Sequence, residues 1–242
     1  MRILYQLTSP MDKTIGPQEV ERRRAVLQSY AAQETTIAVE PTARGPAAIE
    51  SAYDAAIVVP ELLRLAPDAE ARGFDAVIIG CFSDPGIEAL RETRKIAIVG
   101  PGAASFHLAA QLGTRLTLLT PAGRGLGRVA ARLRSLALDP LLASVRGIGL
   151  SVMDLAQQKP GALDKAAAAA RAAVAEDRAD VLVLGCMSMA FLPGICEDLS
   201  ERVGVPVVNP VLAALKTAET LVGMKLAQSK AAYPQPKEQV VI

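Results

Sequence analysis

Two stretches of the chain match in register over nine residues: Asp75-Ala-Val-Ile-Ile-Gly-Cys81-Phe-Ser83 and Asp180-Val-Leu-Val-Leu-Gly-Cys186-Met-Ser188. Each sets a thiol one residue past a glycine and a hydroxyl two residues past the thiol. A free thiol has a pKa of about 8.5, so near neutral pH one member of a pair can be thiolate while the other keeps its proton. Paired in this way, Cys81 and Cys186 fit the roles of base and acid on opposite faces of one carbon. The thiolate removes a proton, the thiol delivers one, and the stereocentre inverts. The two groups must be alike in kind, because their roles exchange with the hand of the substrate. Paired carboxylates or lysines would serve as well; matched thiols are what this sequence offers. Taken singly, either cysteine reads as a small buried hydrophobe, and it is their identical setting that points to chemistry. Cys196, in Ile195-Cys-Glu-Asp-Leu199, lies outside the repeat and reads as helix packing.

Both copies need equivalent places in a fold. Aliphatic runs at 3–7, 36–39, 76–79, 95–99, 115–119, 181–184 and 205–208 predict strands, and 142–148 is a further candidate. Segments 47–65, 87–92, 103–112, 125–136, 162–176 and 211–227 predict helices. Uninterrupted apolar strands alternating with helices predict a parallel sheet covered on both faces. A weaker match, Ile3-Leu-Tyr-Gln-Leu-Thr8 with Leu116-Thr-Leu-Leu-Thr120, opens each copy. With only two copies, the expectation is an α/β fold of two pseudo-symmetric, Rossmann-like parallel-sheet halves with the active site in the cleft between them. The halves are expected at 1–102 plus 209–228 and at 103–208. The polar tail 229–242, with Pro234 and Pro236, is expected to be disordered or to lie as an arm on a neighbouring subunit of a homo-oligomer. Ligands of parallel sheets bind beyond the carboxyl ends of the strands, which is where both cysteines fall. Gly80 and Gly185 would permit a sharp turn or close backbone approach there, and amides opening the next helix could stabilise a thiolate.

Ser83 and Ser188 fit two roles, holding a substrate's polar groups and supplying turn or helix-capping chemistry. Thr8 and Thr120, at equivalent strand ends, carry the same two readings. The lone His107, on an Ala-rich helix without a carboxylate cluster, predicts no metal site. Gly125-Leu-Gly-Arg-Val-Ala130 fits the spacing of a dinucleotide fingerprint, but it is separated from the preceding strand and has no acidic partner at the expected distance. It reads as a chance match or a loop beside the cleft, and no cofactor is expected. Gly100-Pro-Gly102 follows a strand and opens a helix, an N-terminus where a carboxylate or ring carbonyl could dock.

Composition narrows the partners. Lys and Arg total 26 against 25 Asp and Glu, aromatics are 3% and Trp is absent, which argues against nucleic acid or a membrane surface and leaves a small molecule. There is no apolar stretch of spanning length and no charged leader before the first strand-like run. The three widely spaced cysteines suit free thiols in a reducing compartment. A cytoplasmic location is expected.

Gly45-Pro-Ala-Ala-Ile-Glu-Ser-Ala-Tyr-Asp54, Gly80-Cys-Phe-Ser-Asp-Pro-Gly86, Gly185-Cys-Met-Ser-Met-Ala190 and Val205-Pro-Val-Val-Asn-Pro210 resemble the aspartate/glutamate/hydantoin racemase superfamily, and most of all its hydantoin and allantoin racemase branch. The resemblance implies two pseudo-symmetric halves, no pyridoxal phosphate or metal, and catalytic cysteines at Cys81 and Cys186. It also implies that Ser83, Ser188 and the first strand end hold the substrate. That strand end reads Gln6-Leu-Thr8-Ser9 instead of the family's common Asn-Pro-Asn, and the helix after Val99 lacks the family's frequent acidic residue. Both departures bear on the substrate more than on the chemistry. Related decarboxylases keep one of the two cysteines; this chain keeps both.

The leading expectation is therefore a cofactor-independent racemase of a five-membered cyclic ureide, such as a 5-substituted hydantoin or allantoin. An aspartate or glutamate racemase, a single-cysteine isomerase or lyase of the maleate isomerase kind, and a non-catalytic binding module are the alternatives.

Overall fold

The computed structural model describes residues 1–123 and 125–237, and for 66–68 the backbone alone. The first half runs β1 (Arg2–Leu7), α1 (Met11–Thr14), α2 (Pro17–Tyr30), β2 (Thr36–Glu40), α3 (Ala52–Ala71), β3 (Ala76–Gly80), α4 (Ile87–Thr93), β4 (Ala97–Val99) and α5 (Pro101–Ala109). The second runs β5 (Leu116–Thr120), α6 (Leu126–Ser135), a 3-10 turn (Asp139–Leu141), β6 (Leu142–Gly147), α7 (Val152–Ala156), α8 (Ala162–Asp177), β7 (Val181–Leu184), α9 (Met187–Ala190), α10 (Ile195–Val203), β8 (Val207–Val208) and α11 (Pro210–Gly223). The strands make two parallel four-stranded sheets of identical order, β2-β1-β3-β4 and β6-β5-β7-β8. The repeated segments are β3 and β7, each an interior strand of its sheet.

Strand periodicity explains why both faces are apolar. In the first sheet Ile3, Tyr5, Leu7, Ala76 and Ile78 point into a core shared with α2 and α11. Leu4, Val77 and Ile79 point the other way, against α3 and α4. The second sheet divides alike, with Leu119, Leu182 and Leu184 facing the shared core and Leu118, Val181 and Val183 facing α5 and α6. Helix α5, which follows the last strand of the first sheet, packs on β7 and β8, while α11, which follows the last strand of the second, packs on β3 and β4. Each sheet is thus covered in part by the other's closing helix.

The repeat's outer residues serve the same structural purpose twice. Asp75 accepts a hydrogen bond from the Arg2 amide at 2.7 Å, and Asp180 accepts from the Thr114 and Arg115 amides. Each carboxylate ties the start of its strand to the neighbour. At the far end the strands approach too closely for any side chain. A Cβ on Gly80 would stand 2.8 Å from the Gln6 carbonyl oxygen, and one on Gly185 2.9 Å from Leu118 Cγ and Thr120 Cγ2.

Two expectations need correction. Helix α2 was not among the predicted helices. Its buried positions are Glu19, Arg23 and Leu27, spaced four apart. Two of the three are charged, so no apolar stripe marks the helix. The tail, expected to be disordered or on another subunit, lies on its own chain as far as Tyr233. The Gln228 amide exchanges hydrogen bonds with both backbone groups of Ile98 on edge strand β4. The Lys230 ammonium donates to the last carbonyls of α4, and Arg91 donates to the Tyr233 hydroxyl at 3.1 Å. Residues 238–242 of that tail lie outside the described residues. The short helices α1, α7 and α9 were likewise not predicted, and α10 was expected only as helix packing around Cys196. The other differences are at element ends, where α3 starts at Ala52 rather than 47, β4 and β8 begin at Ala97 and Val207, and α11 stops at Gly223.

The steric reading of the two strand-end glycines predicts that Gly80→Ala and Gly185→Ala each destabilise the fold by about 1–3 kcal/mol. Gly127, in α6 with nothing within 4 Å of its Cβ position, gives the opposite sign on Gly127→Ala, a gain of about half a kcal/mol. Urea unfolding midpoints of the three variants check the contrast.

Candidate active site

Beyond the carboxyl ends of both sheets lies one cavity of about 620 Å³, and Cys81 and Cys186 both line it. Because Gly80 and Gly185 hold the two strand ends tight against β1 and β5, the next residue of each copy turns out at the sheet edge. Cys81 is half-buried and Cys186 buried. Ser83, Ser188, Thr8 and Thr120 also reach the cavity. Gln6 does not: its amide donates to the Leu7 and Glu40 carbonyls, fastening β1 to β2. Cys196 sits half-buried in α10, away from the cavity wall.

The two thiols have different neighbours. Ser83 Oγ stands 3.2 Å from Cys81 Sγ. Burial pushes the Cys81 thiol up to about 11, against the hydrogen bonds from Ser83, and the charge of nearby Asp84 pushes the same way. Burial also raises Cys186; the amides of Met189 and Ser188 and the charge of Arg23 work against it, and the charge of Glu50 adds to it. Those amides belong to the start of α9, for which Cys186 is the residue before the first turn.

Arg23 comes from the helix that sequence reasoning missed. Its side chain is 2% exposed, pairs with Glu19 at 2.8 Å and donates to Ser188 Oγ at 3.0 Å, with its guanidinium over the Phe191 ring. Burial works against the Glu19 charge, yet hydrogen bonds from Arg22 and Arg23 outweigh it and hold that carboxyl below its usual range. Arg23 therefore carries a residue of the first half onto the serine that follows Cys186. The only sequence signal for it was the Glu19/Arg23 spacing of four, which suits a helical ion pair. Ser188 is thus the acceptor of a buried arginine, while Thr120 Oγ1 accepts from the Gly123 amide and orders the turn after β5.

The helix N-terminus at Gly100-Pro-Gly102, expected to take a substrate group, is already filled. The Asp84 carboxylate accepts from the Gly102 and Ala103 amides and from Arg132, each at 2.9 Å. A Cβ on Gly100 would stand 2.5 Å from Asp84 Cγ. Burial drives the Asp84 carboxyl up despite these three donors. The fingerprint-like segment does border the cavity, through Gly125, Arg128 and Val129.

Two capped turns frame the mouth. Ser51 with Asp54 at the start of α3, and Ser151 with Asp154 at the start of α7, each exchange side chain and backbone hydrogen bonds. Glu50, beside the first, accepts from the Val152 amide in the second at 2.8 Å, so the loop before α3 closes against the other half.

Comparison with known proteins follows this architecture closely. A family model for Asp/Glu/Hydantoin racemase matches residues 20–218. Hydantoin racemase of Paenarthrobacter aurescens is 34% identical over 213 residues, 87% of this chain and 89% of the relative. That of Rhizobium meliloti is 35% identical over 195 residues, 79% of this chain and 80% of the relative. The crystal structure of allantoin racemase from Pseudomonas fluorescens superposes with a TM-score of 0.88 at 29% identity, covering 100% of both chains. Two parallel α/β halves closed over one cavity, matched in full by such structures, define an enzyme of the racemase class. Within that class the chain belongs to the Asp/Glu/Hydantoin racemase family.

The raised thiols set a pH expectation. With Cys81 held at about 11, its thiolate is about one part in ten thousand at pH 7. Alkylation by iodoacetamide, followed by peptide mass spectrometry, should be slow at pH 7 for Cys81. Its rate should climb about tenfold per pH unit and level off only near pH 11. Cys196, pushed up by burial to about 12, should lag further. Full reactivity of Cys81 at pH 7 would contradict burial as its governing influence.

Proposed function

We propose that the protein racemises a five-membered cyclic ureide, a 5-substituted hydantoin or allantoin, with Cys81 and Cys186 as acid and base. The observation that carries this reading is that both thiols, at the ends of equivalent strands, open onto a single cavity. The hydantoin and allantoin racemases among its relatives favour a ureide over a free amino acid.

The C5–H of such a ring is flanked by a carbonyl and a ring nitrogen, so its proton is more acidic than that of an amino acid and within reach of a thiolate. One cysteine, as thiolate, takes the proton from C5, and the electron pair moves onto the adjacent carbonyl oxygen. The planar enolate then receives a proton at C5 from the other thiol on the opposite face. The carbonyl re-forms, and the two cysteines have exchanged protonation states. Which cysteine acts as base depends on the hand of the substrate, since each enantiomer offers its C5 proton to one of the two thiols. Ser83 and Thr8 hold the ring's polar edge. Ser188, bound to Arg23, fixes the Cys186 turn.

The test separates the two faces. Cys81→Ala and Cys186→Ala should each slow racemisation by two to four powers of ten, roughly the worth of a general acid or base. Each variant keeps one thiol, which can still exchange the C5 proton of the enantiomer facing it, with retention. In deuterated water, NMR of single enantiomers should therefore show deuterium entering one hand with Cys81→Ala and the other with Cys186→Ala. Racemisation at a near wild-type rate by either folded variant would sink the two-thiol mechanism. Exchange of the same hand by both would mean that the thiols do not face each other across the ring.

A further inference from the structure

Four charged side chains line the cavity among the described residues: Arg23, Glu50, Arg128 and Arg132. Three are already engaged. Arg23 pairs with Glu19, Arg132 with Asp84 and Glu88, and Glu50 accepts from the Val152 amide. Arg128 has no ion pair or side-chain hydrogen bond among the described residues. Its guanidinium lies back over Gly125, where a Cβ would stand 3.1 Å from both Nε and Nη2, so glycine at this position leaves room for it. Arg132 follows one helical turn later on the same face of α6, and its Nε is buried with no acceptor. One wall of the cavity thus presents an unpaired cation, with the engaged Arg132 a turn behind it. The cavity, at about 620 Å³, is far larger than a five-membered ring, so it has room for a sizeable C5 substituent.

Resting on the ureide reading above, we propose that Arg128 makes the enzyme select cyclic ureides whose C5 substituent ends in a carboxylate. Arginine and carboxylate meet through two parallel charge-assisted hydrogen bonds. Glu50, the one carboxylate among these four, accepts from the Val152 amide and makes no ion pair with Arg128. Met11, Ile15, Phe82 and Phe106 add an apolar part to the lining that suits the methylene stem of such a substituent. An apolar substituent is the competing fit, and the test includes it.

The measurement is kcat/KM, by polarimetry, for hydantoins whose C5 substituent is 2-carboxyethyl, its neutral amide, an isobutyl group or an aminoalkyl chain. The wild-type enzyme should prefer the carboxylate over the amide by about ten- to a hundredfold, the range of a hydrogen bond to a charged group, with most of the difference in KM. Arg128→Gln should bring that ratio to near one. Arg128→Glu should turn the preference toward the aminoalkyl compound. Circular dichroism verifies folding, which this exposed position should not disturb. Equal rates for amide and carboxylate, a preference for isobutyl, or a ratio unchanged in Arg128→Gln would overturn the assignment of Arg128 and leave the ureide reading standing. Turnover of none of the four would overturn both.

Discussion

The buried carboxylate of Asp84 is the point on which the first half of the site depends. It stands three residues past Cys81, in a left-handed backbone conformation (φ 50). A non-glycine residue holds that conformation at a cost of about 1–2 kcal/mol. The compensation is a carboxylate that meets the first amides of α5 and the guanidinium of Arg132 together. Helix α5 packs on the second sheet and Arg132 belongs to α6 of that sheet. One side chain therefore fixes the turn that carries Cys81 and joins the two sheets at the cavity wall. Removing a single partner from a buried pair of this kind typically costs about 3–5 kcal/mol, which is why Gly100 and Gly102 must stay small around it.

The second copy of the repeat has no aspartate at the matching place, and there the joining runs the other way. Arg23, on α2 of the first half, crosses to Ser188 in the turn after Cys186. Each cysteine turn is thus clamped by a guanidinium from the opposite half: Arg132 acting through Asp84 on one side, Arg23 directly on the other. The backbone is pseudo-symmetric, but the charges are not. Asp84 acts on Cys81, whereas Cys186 feels Arg23 and, in the opposite sense, Glu50. Two chemically identical thiols thus sit among different charged partners, which lie outside the repeat itself.

This division also explains what could be read from the sequence. The repeat revealed the strands, the glycines and both thiols, because β-strand periodicity and close strand approach act over a few residues and leave local patterns. The residues that differentiate the thiols were hidden for a physical reason. Arg23 lies in a helix whose buried stripe is Glu19, Arg23 and Leu27, so the periodicity that betrays a helix was carried by charge. Asp84 was read only as part of a motif, and the N-terminus that it fills was taken for a substrate site, since nothing local tells which carboxylate will occupy a helix end 18 residues away. Gln6, assigned to the substrate by resemblance, is spent on the β1–β2 junction.

Burial of both thiols bears on the chemistry as well as the packing. A charge on Cys186 raises Cys81 further, so in this enclosed cavity ionising one thiol disfavours ionising the other. Coupled groups of this kind lose their protons as a pair, in two separated steps. Between those steps the pair holds one thiolate and one thiol, the combination that inversion at carbon requires. Exposed cysteines would ionise almost independently, and over the same pH range would include a doubly charged form with no acid to give. A desolvated thiolate is also a stronger base, which partly offsets its scarcity when the proton to be taken is on carbon. Desolvation thus makes either thiolate rare at neutral pH, and on the two-thiol reading the active form is the minor, singly ionised pair.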